Sequence, residues 1–205
     1  MRSHFIERLA LCIILSMTAA SAAERRLSTD ALSCSQLNNG ASRTSKTDMI
    51  SNPRKSMDAY ASITLSSSAT AVCTASYNLV VSERSGGFKP VKTLSVELHD
   101  NAGIDLLGFS PDGSKLAADF WWSVGDYRRH RPVVYEVKSH IARITELGDQ
   151  VTSQLPACGY IENLTGITNA GEIELHVPRN ATGTDCPDQG NWLFDPKSGE
   201  ASRAK

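Results

Sequence analysis

From Ala59 onward, short runs of Val, Ile, Leu, Thr and Tyr alternate with Gly, Ser, Pro and Asp, and this period-two pattern predicts strand after strand. The clearest stretch is Leu106-Leu107-Gly108-Phe109-Ser110-Pro111-Asp112-Gly113-Ser114-Lys115-Leu116-Ala117-Ala118. Pro111 pre-sets φ for a turn, Asp112 tolerates the bridge or left-handed region, and Gly113 accepts a positive φ without steric cost. Apolar residues on either side then form a hairpin with strands at 105–109 and 115–122. Three closing hairpins resemble one another: Asn78 to Gly87 leading into Val91–Leu94, Val133 to His140 leading into Ala142–Ile144, and Trp192 to Gly199 leading into Ala201–Arg203. Ser85, Ser139 and Ser198 align across them, at separations of 54 and 59 residues (139 − 85 and 198 − 139). Each has an inner hairpin upstream: Phe109–Ala118 in the second unit, Leu164–Gly171 turning into Ile173–Val177 in the third, and Ser62–Cys73 in the first, where Ser66-Ser67-Ser68 must turn without glycine. The expectation is an all-β domain of about three antiparallel four-stranded blades.

Phe109-Ser110-Pro111-Asp112-Gly113-Ser114-Lys115-Leu116-Ala117, followed by the Val134–Ile144 hairpin, resembles the WD40-like repeat of bacterial TolB-type β-propellers. The resemblance covers one blade well and a second loosely. It implies blade geometry and leaves function open, since such propellers serve both as binding platforms and as enzyme domains. Propellers close with about four to eight blades, whereas three are visible here. That leaves an open or incomplete propeller, a sandwich-like β domain, a ring closed by the N-terminal segment, or one part of an oligomeric ring.

The N-terminal segment has its own organisation. Arg2 and Arg8 precede an apolar stretch from Leu9 to Met17, and Ala20-Ser21-Ala22 forms an A-x-A cleavage pattern. Residues 1–23 therefore read as a secretory signal peptide, which places the mature chain in the periplasm or outside the cell, with no membrane insertion after cleavage. Residues 24–57 are a polar strap with a short helix from Ser28 through Leu37, and 58–205 form the propeller-like domain. Cleavage removes Arg2, Arg8 and Glu7, which turns 21 basic and 22 acidic side chains into 19 and 21. That balance argues against nucleic acid as a partner.

Four cysteines remain: Cys34, Cys73, Cys158 and Cys186. In an exported chain they suggest two disulfides, and Cys34–Cys73 with Cys158–Cys186 close the most local loops. Each bridge removes about 3–4 kcal/mol of unfolded-state entropy in the chain-entropy model. No C-x₂-C spacing or paired His points to a metal, and no phosphate loop or dinucleotide fingerprint points to a cofactor.

Candidate binding residues lie in Trp121-Trp122-Ser123-Val124-Gly125-Asp126-Tyr127-Arg128-Arg129-His130-Arg131. Adjacent tryptophans on a strand face opposite sides, so one is expected in the core and the other against a neighbour or a ligand. With Tyr127, Arg128, Arg129 and Arg131 they form a candidate patch for a protein or glycan partner. The matching loop of the third unit carries Arg179, Asn180, Asp185, Cys186, Asp188 and Gln189. Catalytic signals are poor. Ser110 lacks the G-x-S-x-G elbow, His99-Asp100 has no nucleophile beside it, and His130, His140 and His176 read as surface or edge residues. Glu172 and Glu174 match what any half-exposed strand shows. The sequence thus favours an exported, non-catalytic binding module. A small exported hydrolase acting on carbohydrate or peptide, and a secreted hydrolase inhibitor, stand as alternatives.

Overall fold

The computed structural model describes residues 25–29, 37, 41–67, 73–83, 86–97, 101–124, 127–145, 147, 163–178 and 187–205. These contain no α-helix and run through β1 (Arg26–Ser28), β2 (Ser42–Lys46), β3 (Ile50–Ser51), β4 (Met57–Ser67), β5 (Cys73–Glu83), β6 (Lys89–Glu97), β7 (Ala102–Phe109), β8 (Lys115–Val124), β9 (Tyr127–Glu136), β10 (Ile141–Ile144), β11 (Asn163–Ile167), β12 (Ile173–Val177), β13 (Gly190–Asp195) and β14 (Glu200–Arg203). They make three antiparallel meanders. Blade 1 is β2 and β3 side by side on β4, then β5 and β6; blade 2 is β7-β8-β9-β10; blade 3 is β11-β12-β13-β14. β1 adds to blade 2 beside β7. The all-β, blade-like class expected from the alternation is what forms, and the three sheets do not close on one another.

The sheets stack face to face, with blade 2 in the middle. Met57, Ala59, Ala61, Ile63 and Leu65 of β4, with Tyr77 and Leu79 of β5, pack against Ile104, Leu106, Leu116, Phe120 and Tyr135 of blade 2. The opposite side of blade 2 presents Leu107, Ala117 and Val134 to Ile167, Ile173, Leu175, Val177 and Phe194 of blade 3. Strand β7 is accordingly buried at every residue but its last. The two outermost faces differ in character. The outer face of blade 1 carries Asp58, Thr64 and Asn78, part-buried, beside the buried Ser62 and Val80, with Tyr60 and Phe88 as a tilted ring pair. Blade 3 turns Glu174, His176, Asn191 and Ser202 outward around Leu193. Polar outer faces end a stack as capping repeats do.

The structure corrects the first unit. The hairpin expected at Ser62–Cys73 forms as β4–β5, in register up to Ser67↔Cys73, but it is the blade's second; the first is β3–β4, turning through Asn52-Pro53-Arg54-Lys55-Ser56. Residues 42–51, assigned from sequence to the polar strap, pair with β4 as the blade's opening strands. Ser28, the expected helix start, lies in β1, and 30–36 are outside the described residues. The turn was missed because it holds no glycine: Lys55 itself adopts φ +51°. Lys55, Gly113 and Gly171 are the left-handed residues of the three opening turns, 58 residues apart at each step (113 − 55 and 171 − 113). Their N–H groups donate to the carbonyls of Asn52, Ser110 and Thr168 at 2.8, 2.8 and 3.0 Å. The same three residues cap their own turns with side chains. Asn52 Oδ1 accepts from Ser56 N–H, Ser110 Oγ from Lys115 N–H, and Thr168 Oγ1 from Glu172 N–H.

One difference among the turns has a packing consequence. The ladder closes from Ser110 to the Lys115 carbonyl in blade 2, but from Thr168 to the Glu172 carbonyl in blade 3, one residue sooner. Since a one-residue slip exchanges the two faces of a strand, Ile173, Leu175 and Val177 point back at blade 2, as Leu116, Ala118 and Phe120 point back at blade 1. The turns also touch. A methyl group on Gly113 would lie 3.0 Å from Pro53 Cδ, and one on Gly171 3.0 Å from Lys115 Cε. Asn169 accepts from Asp112 N–H at its side chain (2.8 Å) and from Lys115 Nζ at its carbonyl (2.7 Å). A column of turns thus ties the blades together at one end.

Gly113→Ala is expected to lower unfolding stability by about 1–2 kcal/mol through left-handed strain, with the Pro53 contact adding to it. Lys55→Gly should instead raise it by about 0.5–1 kcal/mol, because relief of that strain exceeds the roughly 0.5–1 kcal/mol entropy cost of glycine. Urea titration of the two variants checks both signs.

Asp112, fully exposed, has its carboxyl lowered to about 2, chiefly by the Ser114 N–H and then by the hydroxyls of Ser110 and Ser114. Its unfolded-state value is about 3.9. The stabilisation it brings is therefore complete above that value and is lost as pH falls through about 2. Melting curves should show Asp112→Asn less stable than the parent at pH 6 and losing less on acidification; equal losses would contradict the assignment.

Candidate functional site

The up-and-down course of the strands gives the molecule two unlike ends. The opening turns and the closing hairpins lie together at one end, compact and cross-bonded. The other end carries the β8–β9 hairpin tip and the connections running through 68–72, 98–100 and 179–186, which are outside the described residues. The candidate patch is on this loop end, built by β8 and β9 in continuous register from Lys115↔Glu136 to Val124↔Tyr127.

Strand alternation divides the patch between two faces. Trp121 and Arg128 face blade 3, whereas Trp122, Arg129 and Arg131 face blade 1. Trp121 is buried at 4% exposure, and its ring lies over Gly103 of the neighbouring strand, where a Cβ would collide with the ring and with the Leu27 carbonyl. The Arg128 guanidinium covers it at 4.1 Å from the ring centroid. Trp122 is half-buried against the core between blades 1 and 2, with the Arg131 guanidinium 4.9 Å from its ring centroid. Each tryptophan thus has an arginine laid across it, a cation–π arrangement worth about 0.5–2 kcal/mol. Arg129, directly opposite Trp122, is exposed. Tyr127 opens β9, and its side chain is outside the described residues.

Beneath the patch lies a polar network the sequence did not signal. Asp105 and Asp119 stand opposite each other on β7 and β8, a like-charge cross-strand pair that destabilises unless each finds its own partners. Asp105 accepts from Trp121 Nε1–H at 3.0 Å and meets Arg26 Nε of β1 at 3.3 Å. Burial pushes its carboxyl up, while Trp121 and Arg26 pull it back. Asp119 uses both oxygens: Oδ2 meets His130 Nδ1 at 2.6 Å, and Oδ1 accepts the Arg131 N–H at 3.1 Å. His130, expected at the surface, is 3% exposed, and its position on β9 puts it on the same face of blade 2 as Trp121. Its Nε2 is buried without a hydrogen-bond partner.

The remaining candidates are scattered. Ser110 is fully buried as the turn cap and not as a nucleophile. His140 caps the β9–β10 turn at φ +57° and meets the Tyr135 hydroxyl at 2.9 Å. His176 pairs with Asn191 on the outer face of blade 3. Glu172 bonds Thr168 within its turn, so it forms no pair with Glu174. His99, Asp100, Arg179, Asn180, Asp185 and the cysteines at 34, 158 and 186 are outside the described residues. Cys73 opens β5. Asp188 gives its carbonyl to Trp192 Nε1 at 2.7 Å. Among the described residues no three His, Cys, Asp or Glu side chains gather as a metal site. Two grooves of about 490 and 510 Å³ run between adjacent blades at the turn end; Glu136, Arg143 and Lys197 line the first, and Lys89, Tyr135 and His140 the second.

No protein-family model matches the chain, and neither a curated protein nor a solved structure does. The reading of the site therefore rests on its own geometry.

Gly103→Ala should displace the Trp121 ring and cost about 1–3 kcal/mol, the range for overpacking a tight site. Near-UV circular dichroism and a denaturation curve check this together. An unchanged aromatic spectrum with unchanged stability would show that the ring does not depend on the glycine.

Proposed function

We propose that this chain is an exported, non-catalytic binding module of the propeller-like class, which meets a protein or glycan partner through the β8–β9 end of its central blade. The observation that supports it most is the state of the arginines. Arg128 lies on Trp121, Arg129 is exposed, and among the described residues neither takes part in an ion pair. The two buried carboxylates nearest them are occupied by Arg26, Trp121, His130 and the Arg131 backbone. Arginine held flat on an aromatic ring keeps its in-plane N–H groups for an incoming acceptor, and such residues are frequent anchors of interfaces.

The export signal at 1–23, the likeness to a WD40-like TolB-type repeat, and the pairs Cys34–Cys73 and Cys158–Cys186 belong to the same proposal. A disulfide from Cys73 would fasten the segment before blade 1 to the β4–β5 end, beside the loop-end surface. Among the described residues the carboxylate–imidazole pair that a hydrolase reading could use as a general base is Asp119 and His130. Both are buried, and this favours the binding reading.

The test is affinity capture from the envelope fraction of the native host, with the chain lacking residues 1–23 as bait. The parent should retain a partner that Arg129→Glu loses at unchanged melting temperature. Equal capture by parent and variant, or capture of nothing by either, overturns the reading.

A further inference from the structure

The same patch carries information about what it binds, and the following inference rests on the binding reading above. We infer that its occupant is a short acidic segment of a protein, whose Asp or Glu carboxylates are taken by Arg129 and Arg128. Recognition of a sugar by stacking needs an open aromatic face. Neither tryptophan offers one, since Trp121 is closed between Gly103 and Arg128, and Trp122 is covered by Arg131 and packed on the core.

What the patch does offer is guanidinium edges. Arg128 and Arg129 are neighbours on β9 and point to opposite sides of the ribbon, so an extended segment crossing the hairpin tip meets one from each side. A guanidinium fork matches a planar carboxylate with two parallel hydrogen bonds. Arg128 is held by stacking and gives up little side-chain freedom when it engages. Asp105 and Asp119 already have hydrogen-bond or ion-pair partners, and although the Arg128 charge also acts on Asp105, Arg128 forms no close ion pair with it among the described residues.

Size and charge decide between a short segment and a long polyanion. Among the described residues the patch offers two arginines without an ion pair, Arg128 and Arg129, and not a track, and the chain as a whole has a formal charge of −1. A densely charged polysaccharide or nucleic acid would be repelled beyond the patch, whereas two or three carboxylates fit within it.

Fluorescence anisotropy of a labelled hexaglutamate peptide tests this, with a sulfated heparin oligosaccharide and a neutral maltooligosaccharide as the other probes. The peptide should bind the parent chain and weaken steeply with added salt. Arg129→Glu should weaken it about tenfold or more, the scale of losing one charge-assisted contact. Arg129→Lys should fall between, because it keeps the charge and loses the fork. Arg54→Glu, which reverses an exposed charge at the turn end, should leave binding as it was. Peptide binding that ignores Arg129, or that Arg54→Glu weakens equally, overturns the inference.

Tighter binding of heparin or maltooligosaccharide than of the peptide, lost in Arg129→Glu, overturns the acidic-segment assignment while the binding reading stands. A partner captured from the host through Arg129 and released by heparin but not by hexaglutamate does the same. Failure of every probe and of Arg129-dependent capture overturns both.

Discussion

Everything in this molecule follows from covering one β-sheet on both of its faces. A sheet with a solvated side can place polar residues there at no cost, but blade 2 has no such side. Every side chain on β7 and β8 must be apolar, small, or supplied with partners, and each case occurs. Leu106, Leu116 and Phe120 fill one interface; Ala117 and Gly103 keep the other close; Asp105 and Asp119 survive burial because Arg26, Trp121, His130 and the Arg131 backbone satisfy their oxygens. The outer blades face this requirement on one side only, and their polar outer faces give the three-sheet stack its ends.

Stacking sheets also requires that strands arrive in phase. The column of opening turns does this at one end, through capping by Asn52, Ser110 and Thr168 and through contacts such as Gly113 on Pro53 and Lys115 on Asn169. Constraint concentrated there leaves the opposite end to differ from blade to blade. The opposite end holds the stacked arginines and the buried polar network, with the candidate site set on a two-stranded support.

How much of the site was legible varied residue by residue. The neighbouring tryptophans and the arginines after them stand out in the sequence, and strand alternation correctly implied that Trp121 and Trp122 part to opposite faces. Which of the two would be sealed was not readable, since it depends on Gly103 lying opposite Trp121 in a strand that precedes it by a whole hairpin. His130 looked like a surface residue because the histidines are scattered singly along the chain. In the fold it is a buried partner of Asp119. No local signal could have found that pair, whose members are joined by register rather than by spacing.

What the chain determined by itself is local: period-two alternation, the Ser110–Lys115 turn, the closing hairpins, and hence a succession of antiparallel ribbons. These are encoded within a few residues, because φ preferences and side-chain-to-backbone caps act over one turn. What only the tertiary structure decided is which sides meet. Lys55 bears a left-handed conformation that its type disfavours, the third turn closes one residue early, and β1 joins blade 2 instead of blade 1. Each follows from the burial of faces supplied by distant segments, and burial of that kind outweighs the few kcal/mol that local preference can set against it.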